Sequence, residues 1–228
     1  MESRLELAEY ASRIQKTAYT LLKAARTPVD VAGSTHLLTI AVERDLQRFG
    51  AASELEKVAC FAGCSSCCIL NVDVLFPEAV AISRYLWHKL DYEQLVLLHG
   101  RLEELHIRTR WMTDEERIFL REPCAFLTEQ GRCLIHPVRP LLCRSITSLD
   151  PAICKNALDM APFSEPQTVP MNLFQKNLMN SAFIGVGEAL RQLGLDASGW
   201  RLTAAVFMVI SMPGAVGEFL VGKKIPRD

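Results

Sequence analysis

Eight cysteines in the middle of the chain are the residues whose type and spacing point most clearly to chemistry. They form two blocks, which together contain Cys60, Cys64, Cys67, Cys68, Cys124, Cys133, Cys143 and Cys154. Thiolates at this density repel one another unless a cation neutralises them, so the pattern predicts a soft-metal or iron–sulfur site with these residues as ligands. Scattered structural cysteines are the alternative, but the first 59 and the last 74 residues contain none.

The first block, CFAGCSSCC, has a spacing that suits chelation. A gap of two residues between Cys64 and Cys67 lets both sulfurs face one metal from a tight turn. Cys67 and Cys68 are adjacent and tend to point apart, so one of them is expected to serve a second metal, a cluster edge or no metal. A site that joins both blocks would cross-link the middle of the fold and couple metal binding to folding.

Spacing alone leaves the identity of the metal open. Eight thiolates could make two tetrahedral zinc sites of four ligands each. Four of them could instead hold one [4Fe–4S] cluster, with the others around it or at a further site.

Two arginines are candidates for binding the cofactor. Arg139 and Arg144 flank Cys143, where guanidinium groups could donate hydrogen bonds to sulfur and offset the negative charge of a cluster. They could equally bind an anionic substrate, or pair with carboxylates at the surface.

The composition gives no argument for binding to nucleic acid or membrane lipid, because 25 Lys and Arg are balanced by 26 Asp and Glu. The first 22 residues are charged and amphipathic, unlike a secretory signal. The longest uncharged run, 202–217, is shorter than the roughly 18–20 apolar residues of a membrane span. We therefore expect a cytoplasmic protein without a membrane span, in a compartment that favours metal ligation over disulfides.

Hydrophobic periodicity predicts a mainly α-helical fold. Helices are predicted over 3–26, 34–58, 77–90, 92–112, 171–193 and 198–212. A kink is expected near Gly50, followed by a capping box from Ser53 to Glu56. His99 and His106 share one face of the fourth of these helices and are interpreted as its solvated flank.

The segments that carry the cysteines lack this periodicity. Residues 60–68 are predicted to form a loop and 69–76 a short strand. Residues 129–132 are expected to form the turn of a small hairpin that brings Cys124 and Cys133 together. Asp150 should cap a helix that carries Cys154 on its opening turns. The fold class is therefore a helical domain in which irregular cysteine-rich loops, with at most a small β-hairpin, surround a metal or cluster site.

These patterns divide the chain into three parts. N-terminal helices occupy 1–59, the cysteine-cluster metal-binding region 60–155, and C-terminal helices 156–228. The last part is expected to pack on the same domain, after an extended linker marked by three prolines between 162 and 170.

The segments CSSCC, PCAFL, CLIH, RPLLCR and SLDPAIC together resemble the CxxCxxCC cysteine-cluster family, also called the YkgJ-like family, whose members are described as zinc- or iron-chelating. The resemblance covers about residues 60–155. It implicates as ligands Cys64, Cys67, Cys68, Cys124, Cys133 and Cys143.

Two positions depart from the family pattern. Cys60 stands one residue too far from Cys64, with Phe61 where the first cysteine is expected. His136 stands where the family usually has an aromatic residue. This favours a packing role for His136, although its spacing from Cys133 is that of a metal ligand.

The resemblance also implies a kind of function. Similar cysteine regions occur in flagellin lysine N-methylases, which are associated with an iron–sulfur cluster and methyl transfer from S-adenosylmethionine. This favours an iron–sulfur cluster over zinc, and by analogy allows S-adenosylmethionine as a cofactor and a protein as substrate. Three classes stay open: an enzyme of redox or methyl transfer, a structural zinc-binding interaction module, and a metal carrier or sensor.

Overall fold

A computed structural model describes residues 6–160 and 168–226 of the chain. The fold is mainly α-helical with one two-stranded antiparallel sheet, so the predicted fold class is confirmed. Two 3-10 helices, Ser66–Ile69 and His136–Val138, lie in the cysteine-bearing loops. The helices of the described residues are α1 (Leu7–Ala24), α2 (Pro28–Phe49), α3 (Ala52–Leu55), α4 (Phe76–Lys89), α5 (Tyr92–Thr109), α6 (Asp114–Leu120), α7 (Leu141–Ser145), α8 (Pro151–Met160), α9 (Leu173–Gln192), α10 (Leu202–Ser211) and α11 (Ala215–Leu220).

Strands β1 (Asp73–Val74) and β2 (Trp200–Arg201) join distant parts of the sequence. They pair antiparallel, with Asp73 opposite Arg201, and the side chains of these two residues form an ion pair at 3.2 Å. The strand predicted over 69–76 is too long, because Ile69 ends a 3-10 helix and Phe76 already begins α4. The sheet ties the start of α10 to the segment that follows the first cysteine block.

The helix predicted over 34–58 begins earlier than expected and is interrupted. The Thr27 hydroxyl accepts a hydrogen bond from the Asp30 amide, and the Asp30 carboxylate accepts one from the Thr27 amide. Pro28 suits the first helical turn, so Thr27 and Pro28 together begin α2. α2 ends before Gly50, where the kink was expected.

Other boundaries differ by small amounts. The capping box from Ser53 to Glu56 is wrong, because α3 begins after Ala51 and has no side-chain cap. α9 and α10 lie within the predicted 171–193 and 198–212, whereas α11 was not predicted. Most of the predicted linker, 161–167, lies outside the described residues. None of the helices that the structure describes has the length and apolar character of a membrane-spanning segment.

Helix α5 packs against the apolar helix α10. The apolar stripe of α5 is buried and consists of Leu95, Leu98, Leu102 and Leu105. The interpretation of His99 and His106 as a solvated flank is wrong. Both rings lie against Phe207 of α10, with centroid distances of 5.0 and 5.9 Å, because α10 supplies an aromatic side chain at this face.

Helices α1 and α9 pack closely across the core, and a glycine permits their approach. A Cβ atom added to Gly185 would lie 2.4 Å from the carbonyl oxygen of Ala11 and 3.1 Å from the amide nitrogen of Gln15. Both are backbone atoms, which cannot move away as a flexible side chain can. The close packing of α1 and α9 therefore requires a residue without a side chain at position 185.

Gly185→Ala is expected to lower the free energy of unfolding by about 2 kcal/mol, because the two helices must separate to admit the methyl group. Gly187→Ala on the same helix is the matched control. Its Cβ would meet only Arg191 Nη2, at 3.8 Å, so the higher helix propensity of alanine should leave stability equal or increased. Urea unfolding measures both, and equal losses in the two variants would contradict the packing explanation.

Candidate metal centre

The first cysteine block is a tight loop that contacts the second block through its backbone. Gly63 has a φ of +98°, a conformation that residues with side chains rarely adopt. Cys67 and Cys68 lie on the 3-10 turn Ser66–Ile69. The carbonyl of Cys68 accepts a hydrogen bond of 2.7 Å from the amide of Cys124. The two blocks are therefore joined directly.

The turn predicted over 129–132 is present in the second block. Leu127 and Cys133 form an isolated antiparallel bridge across it. Gly131 has a φ of +70°, and a Cβ at this position would lie 3.1 Å from the carbonyl oxygen of Gly63. Left-handed glycines in both loops thus allow the loops to contact each other.

Helices α7 and α8 carry the last two cysteines, Cys143 and Cys154. As predicted, Asp150 caps α8, and its carboxylate accepts a hydrogen bond of 2.8 Å from the amide two residues later. The amide of Ala59 donates to the carbonyl of Ser148 at 2.8 Å. This bond holds the segment between α7 and α8 against the first cysteine block.

A cavity of about 500 Å³ lies between these loops. Its lining includes His136, Arg139 and Arg144. Seven of the eight cysteines also line it, namely Cys60, Cys64, Cys67, Cys68, Cys124, Cys133 and Cys143. Cys154 does not belong to the lining. The structure thus brings both cysteine blocks and both candidate arginines to one place.

Electrostatic interactions divide the thiols into two groups. Those that interact with one another, here called the inner thiols, are Cys67, Cys68, Cys124, Cys133 and Cys143. The outer thiols are Cys60, Cys64 and Cys154, because Cys60 interacts with the other two. Cys67 also interacts with Cys60 and so connects the two groups.

The inner thiols differ in how readily they ionise. Burial raises the pKa of Cys124 to about 11 and raises that of Cys143 well above its ordinary value. A hydrogen bond with the Cys68 thiol lowers the pKa of Cys67 to about 6, and the charge of Arg139 acts in the same direction. The same bond raises the pKa of Cys68. Cys67 therefore ionises most easily, whereas its buried neighbours need a cation.

Backbone amides donate hydrogen bonds to three of the sulfurs. The Ser148 amide donates to Cys60 Sγ at 3.3 Å. Burial raises the pKa of Cys124 and Cys133, and a hydrogen bond to each sulfur from the amide two residues later opposes this rise. Hydrogen bonds of this kind stabilise a thiolate and tune a metal bound to it.

The thiols surround the cavity without converging on one point. In residues 6–160 and 168–226, no group of three Cys, His, Asp or Glu side chains stands where it could hold a single ion. Four sulfurs around a tetrahedral zinc lie about 3.8 Å from one another, since each Zn–S bond is about 2.3 Å. The ligands of an iron–sulfur cluster stand further apart, because each binds a different iron. The thiols therefore offer soft donors of the kind that zinc and iron bind.

Arg144 positions the loop beside the cavity. Its buried guanidinium donates to the carbonyls of Arg139 at 2.7 Å and Pro137 at 3.0 Å, and it pairs with Glu43 of α2. These three partners fix the turn that leads into α7. Arg144 therefore acts on the site through this turn.

Arg139 contributes charge. Its Nε atom is buried and has no hydrogen-bond partner among the described residues. Its charge helps to lower the pKa of Cys67, and it opposes the rise that burial causes in the pKa of Cys133 and Cys143. Partial burial and the charges of Arg139 and Arg144 lower the pKa of His136, which keeps that imidazole neutral near pH 7. Ligation of a metal by His136 stays untested.

Glu78 is a buried carboxyl that the sequence patterns do not single out. Its two oxygens accept hydrogen bonds from the amides of Leu75 at 2.9 Å and Leu141 at 2.8 Å. It therefore fastens the start of α4 to the start of α7, two residues before Cys143. Burial raises the pKa of Glu78 to about 7, while the two amides and the charge of Arg144 oppose this rise. The position of Glu78 at the start of α4 indicates its hydrogen bond with the amide of Leu75. Nothing in the sequence indicates its hydrogen bond with the amide of Leu141.

A cavity lined by this many cysteines is typical of a metal-chelating domain. Residues 59–163 match the sequence model of the CxxCxxCC family, described as a putative zinc- or iron-chelating domain. The match confirms the resemblance that the motifs indicated, and chelation of zinc or iron is the function that the family description implies. No curated protein and no solved structure matches the chain.

Proposed function

We propose that the chain holds an iron–sulfur cluster in the cavity between its two cysteine blocks. The observation that carries this proposal is that seven of the eight cysteines line one cavity of about 500 Å³. The inner thiols supply the ligands. Cys60, Cys64 and Cys154 form a surrounding set or a further site.

The size of the cavity supports a cluster over a closed zinc site. A structural zinc site surrounds its ion with four protein ligands and leaves no space around it. The volume of about 500 Å³ instead lies in the range of small-molecule pockets, about 300–1,000 Å³. Zinc is the second candidate, since the family description names zinc beside iron. It would require the sulfurs to gather into groups of four.

The residues around the thiols suit a group of negative charge. Arg139 and the three amide-to-sulfur hydrogen bonds offset the charge of the thiolates, and Arg144 fixes the turn that carries Arg139. When bound, an iron–sulfur cluster supplies electron transfer. The space in the cavity supports a role in redox or group transfer over a purely structural module or a metal carrier. Methyl transfer from S-adenosylmethionine to a protein side chain is one such reaction, and it rests on the family resemblance alone.

A cytoplasmic location fits this proposal. All eight cysteines are free thiols. Thiols are kept reduced in the cytoplasm, where closely spaced cysteines more often bind metal than form disulfides.

Protein purified without oxygen is expected to contain about four iron and about four sulfide per chain and to show broad brown absorption, as for a [4Fe–4S] cluster. Metal and acid-labile sulfide analysis, together with a visible spectrum, measures this. About one or two zinc per chain, without sulfide or colour, would contradict the iron–sulfur proposal and favour closed structural sites.

A further inference from the structure

Arg117 is a buried cation that forms no ion pair with a carboxylate among the described residues. It lines the cavity from α6, and only 4% of its surface is exposed. Its Nη1 atom is buried with no hydrogen-bond partner among the described residues. The charges of Cys124 and Glu122 act on it, but Cys124 is a proposed metal ligand and Glu122 is already paired with Arg108. An unpaired buried charge is costly for a fold, and a ligand of opposite charge would remove that cost.

The wall of the cavity is basic. None of the lining residues that the structure describes is Asp or Glu, although the whole chain has a net charge of −1. Arg144 is held by Glu43 and two carbonyls, and Arg201 is paired with Asp73. The arginines that line the cavity are Arg110, Arg117, Arg132, Arg139, Arg144 and Arg201. Of these six, Arg117 and Arg139 are the two with a buried nitrogen that lacks a partner in the described chain.

The first turn of α10 lies on the same wall. Leu202, Thr203 and Ala204 line the cavity, and this ten-residue helix begins without a side-chain cap. The Leu202 amide already donates to the carbonyl of Val72 at 2.9 Å, so the amides of Thr203 and Ala204, together with the helix dipole, favour an anion at this end. A buried unpartnered guanidinium and an uncapped helix N-terminus therefore border one cavity.

We infer that the cavity binds a small oxyanion, the carboxylate or phosphate group of a substrate, with Arg117 as its anchoring residue. A guanidinium can donate two parallel hydrogen bonds to the oxygens of such a group. This site goes beyond the proposed metal centre, because it assigns the cavity a class of substrate. The inference rests on the residues of the cavity wall, and it can be tested whichever metal the thiols bind.

Isothermal titration calorimetry on the full-length chain tests the site, with inorganic phosphate and acetate in separate experiments at constant ionic strength. The wild-type chain is expected to bind at least one of the two at about one ion per chain. Arg117→Met should weaken that binding by about tenfold or more, because a charged hydrogen-bond donor is lost. Its thermal midpoint should stay equal or rise, since the charge removed is buried and unpaired. A structural role for Arg117 would lower the midpoint.

Arg191→Met is the matched control, because it removes the same charge at an exposed position outside the cavity lining, where Arg191 pairs with Glu188. It should bind the anion as the wild type does. The metal content of every sample is measured in parallel. Loss of anion binding by Arg117→Met with a wild-type metal content supports the inference, and the anion that binds identifies the oxyanion.

Three results would overturn the inference. The wild-type chain could bind neither anion, or Arg117→Met could bind as tightly as the wild type. Arg117→Met could also lose bound metal, which would show that the guanidinium compensates the Cys124 thiolate instead. A wild-type chain that binds the anion but contains no metal would refute the proposed metal centre and leave the anion site standing.

Discussion

Cys124→Ser is expected to remove most of the bound metal from the chain. Cys124 is an inner thiol that interacts with Cys68, Cys133 and Cys143, and its amide is hydrogen-bonded to the first cysteine block. Serine has nearly the same shape, but its hydroxyl is a poor ligand for soft metals. The iron content should fall from about four per chain to less than about one. Anaerobic iron and sulfide analysis measures the change.

Cys154→Ser is the matched control and should keep the iron and sulfide of the cluster, because Cys154 does not line the cavity. The two variants also distinguish the two arrangements that the cysteine spacing left open, one iron–sulfur cluster or two zinc sites. If two zinc sites used all eight cysteines, Cys154→Ser would lose about half of the metal. Equal losses in Cys124→Ser and Cys154→Ser would refute the assignment of the inner thiols.

Glu78→Ala is expected to lower the free energy of unfolding by about 4 kcal/mol at pH 5. The substitution leaves the amides of Leu75 and Leu141 buried without acceptors. Each such donor costs about 1–3 kcal/mol, and the removed side chain leaves a void. Urea unfolding followed by circular dichroism measures the loss, with the metal content of each sample determined alongside.

The loss caused by Glu78→Ala is expected to become smaller as the pH rises from 4.5 to about 7. Burial raises the pKa of Glu78 from 4.5 to about 7 in the folded state. Between these values the unfolded chain has released the proton and the folded chain retains it, so a higher pH favours unfolding of the wild type. Alanine has no such proton. The difference in the free energy of unfolding between the wild type and Glu78→Ala should therefore narrow by about 1 kcal/mol per pH unit. A difference that widens with pH would contradict this.

Glu116→Ala is the matched control for Glu78→Ala. Glu116 occupies the same position at the start of α6 and accepts a hydrogen bond of 2.8 Å from the amide of Thr113, but it is exposed to solvent. Water can replace its carboxylate as the hydrogen-bond acceptor. Glu116→Ala should therefore lower the free energy of unfolding by at most about 1 kcal/mol. If both variants lost the same stability, helix capping alone would explain Glu78 and its bond to α7 would be unimportant.

The local elements of the fold were largely predictable because their signals lie within a few residues. Asp150 accepts a hydrogen bond from an amide that follows it, and this bond begins α8 as predicted; Thr113 begins α6 in the same way. The buried leucines of α5 follow helical periodicity. The turn that contains Gly131 was indicated by its residue types. Each of these features depends on neighbours along the chain.

The parts of the site that depend on distant residues were not predictable. The bond from Leu141 to Glu78 spans 63 positions, and β1 pairs with a strand whose residues were assigned to a helix. The charged face of α6 shows no sign that Arg117 is buried against the cavity. Spacing grouped Cys154 with the other cysteines as a ligand, but it cannot show that α8 holds this residue away from the cavity lining. Its role as a ligand stays a prediction.

Anomalous X-ray scattering from crystals of the protein purified without oxygen tests the proposed centre most directly. Data collected on both sides of the iron and zinc absorption edges locate and identify the metal in one experiment. We predict iron density inside the cavity, in contact with the sulfurs of inner thiols such as Cys124 and Cys143. Density at the zinc edge alone, or iron density away from this cavity, would contradict the proposal.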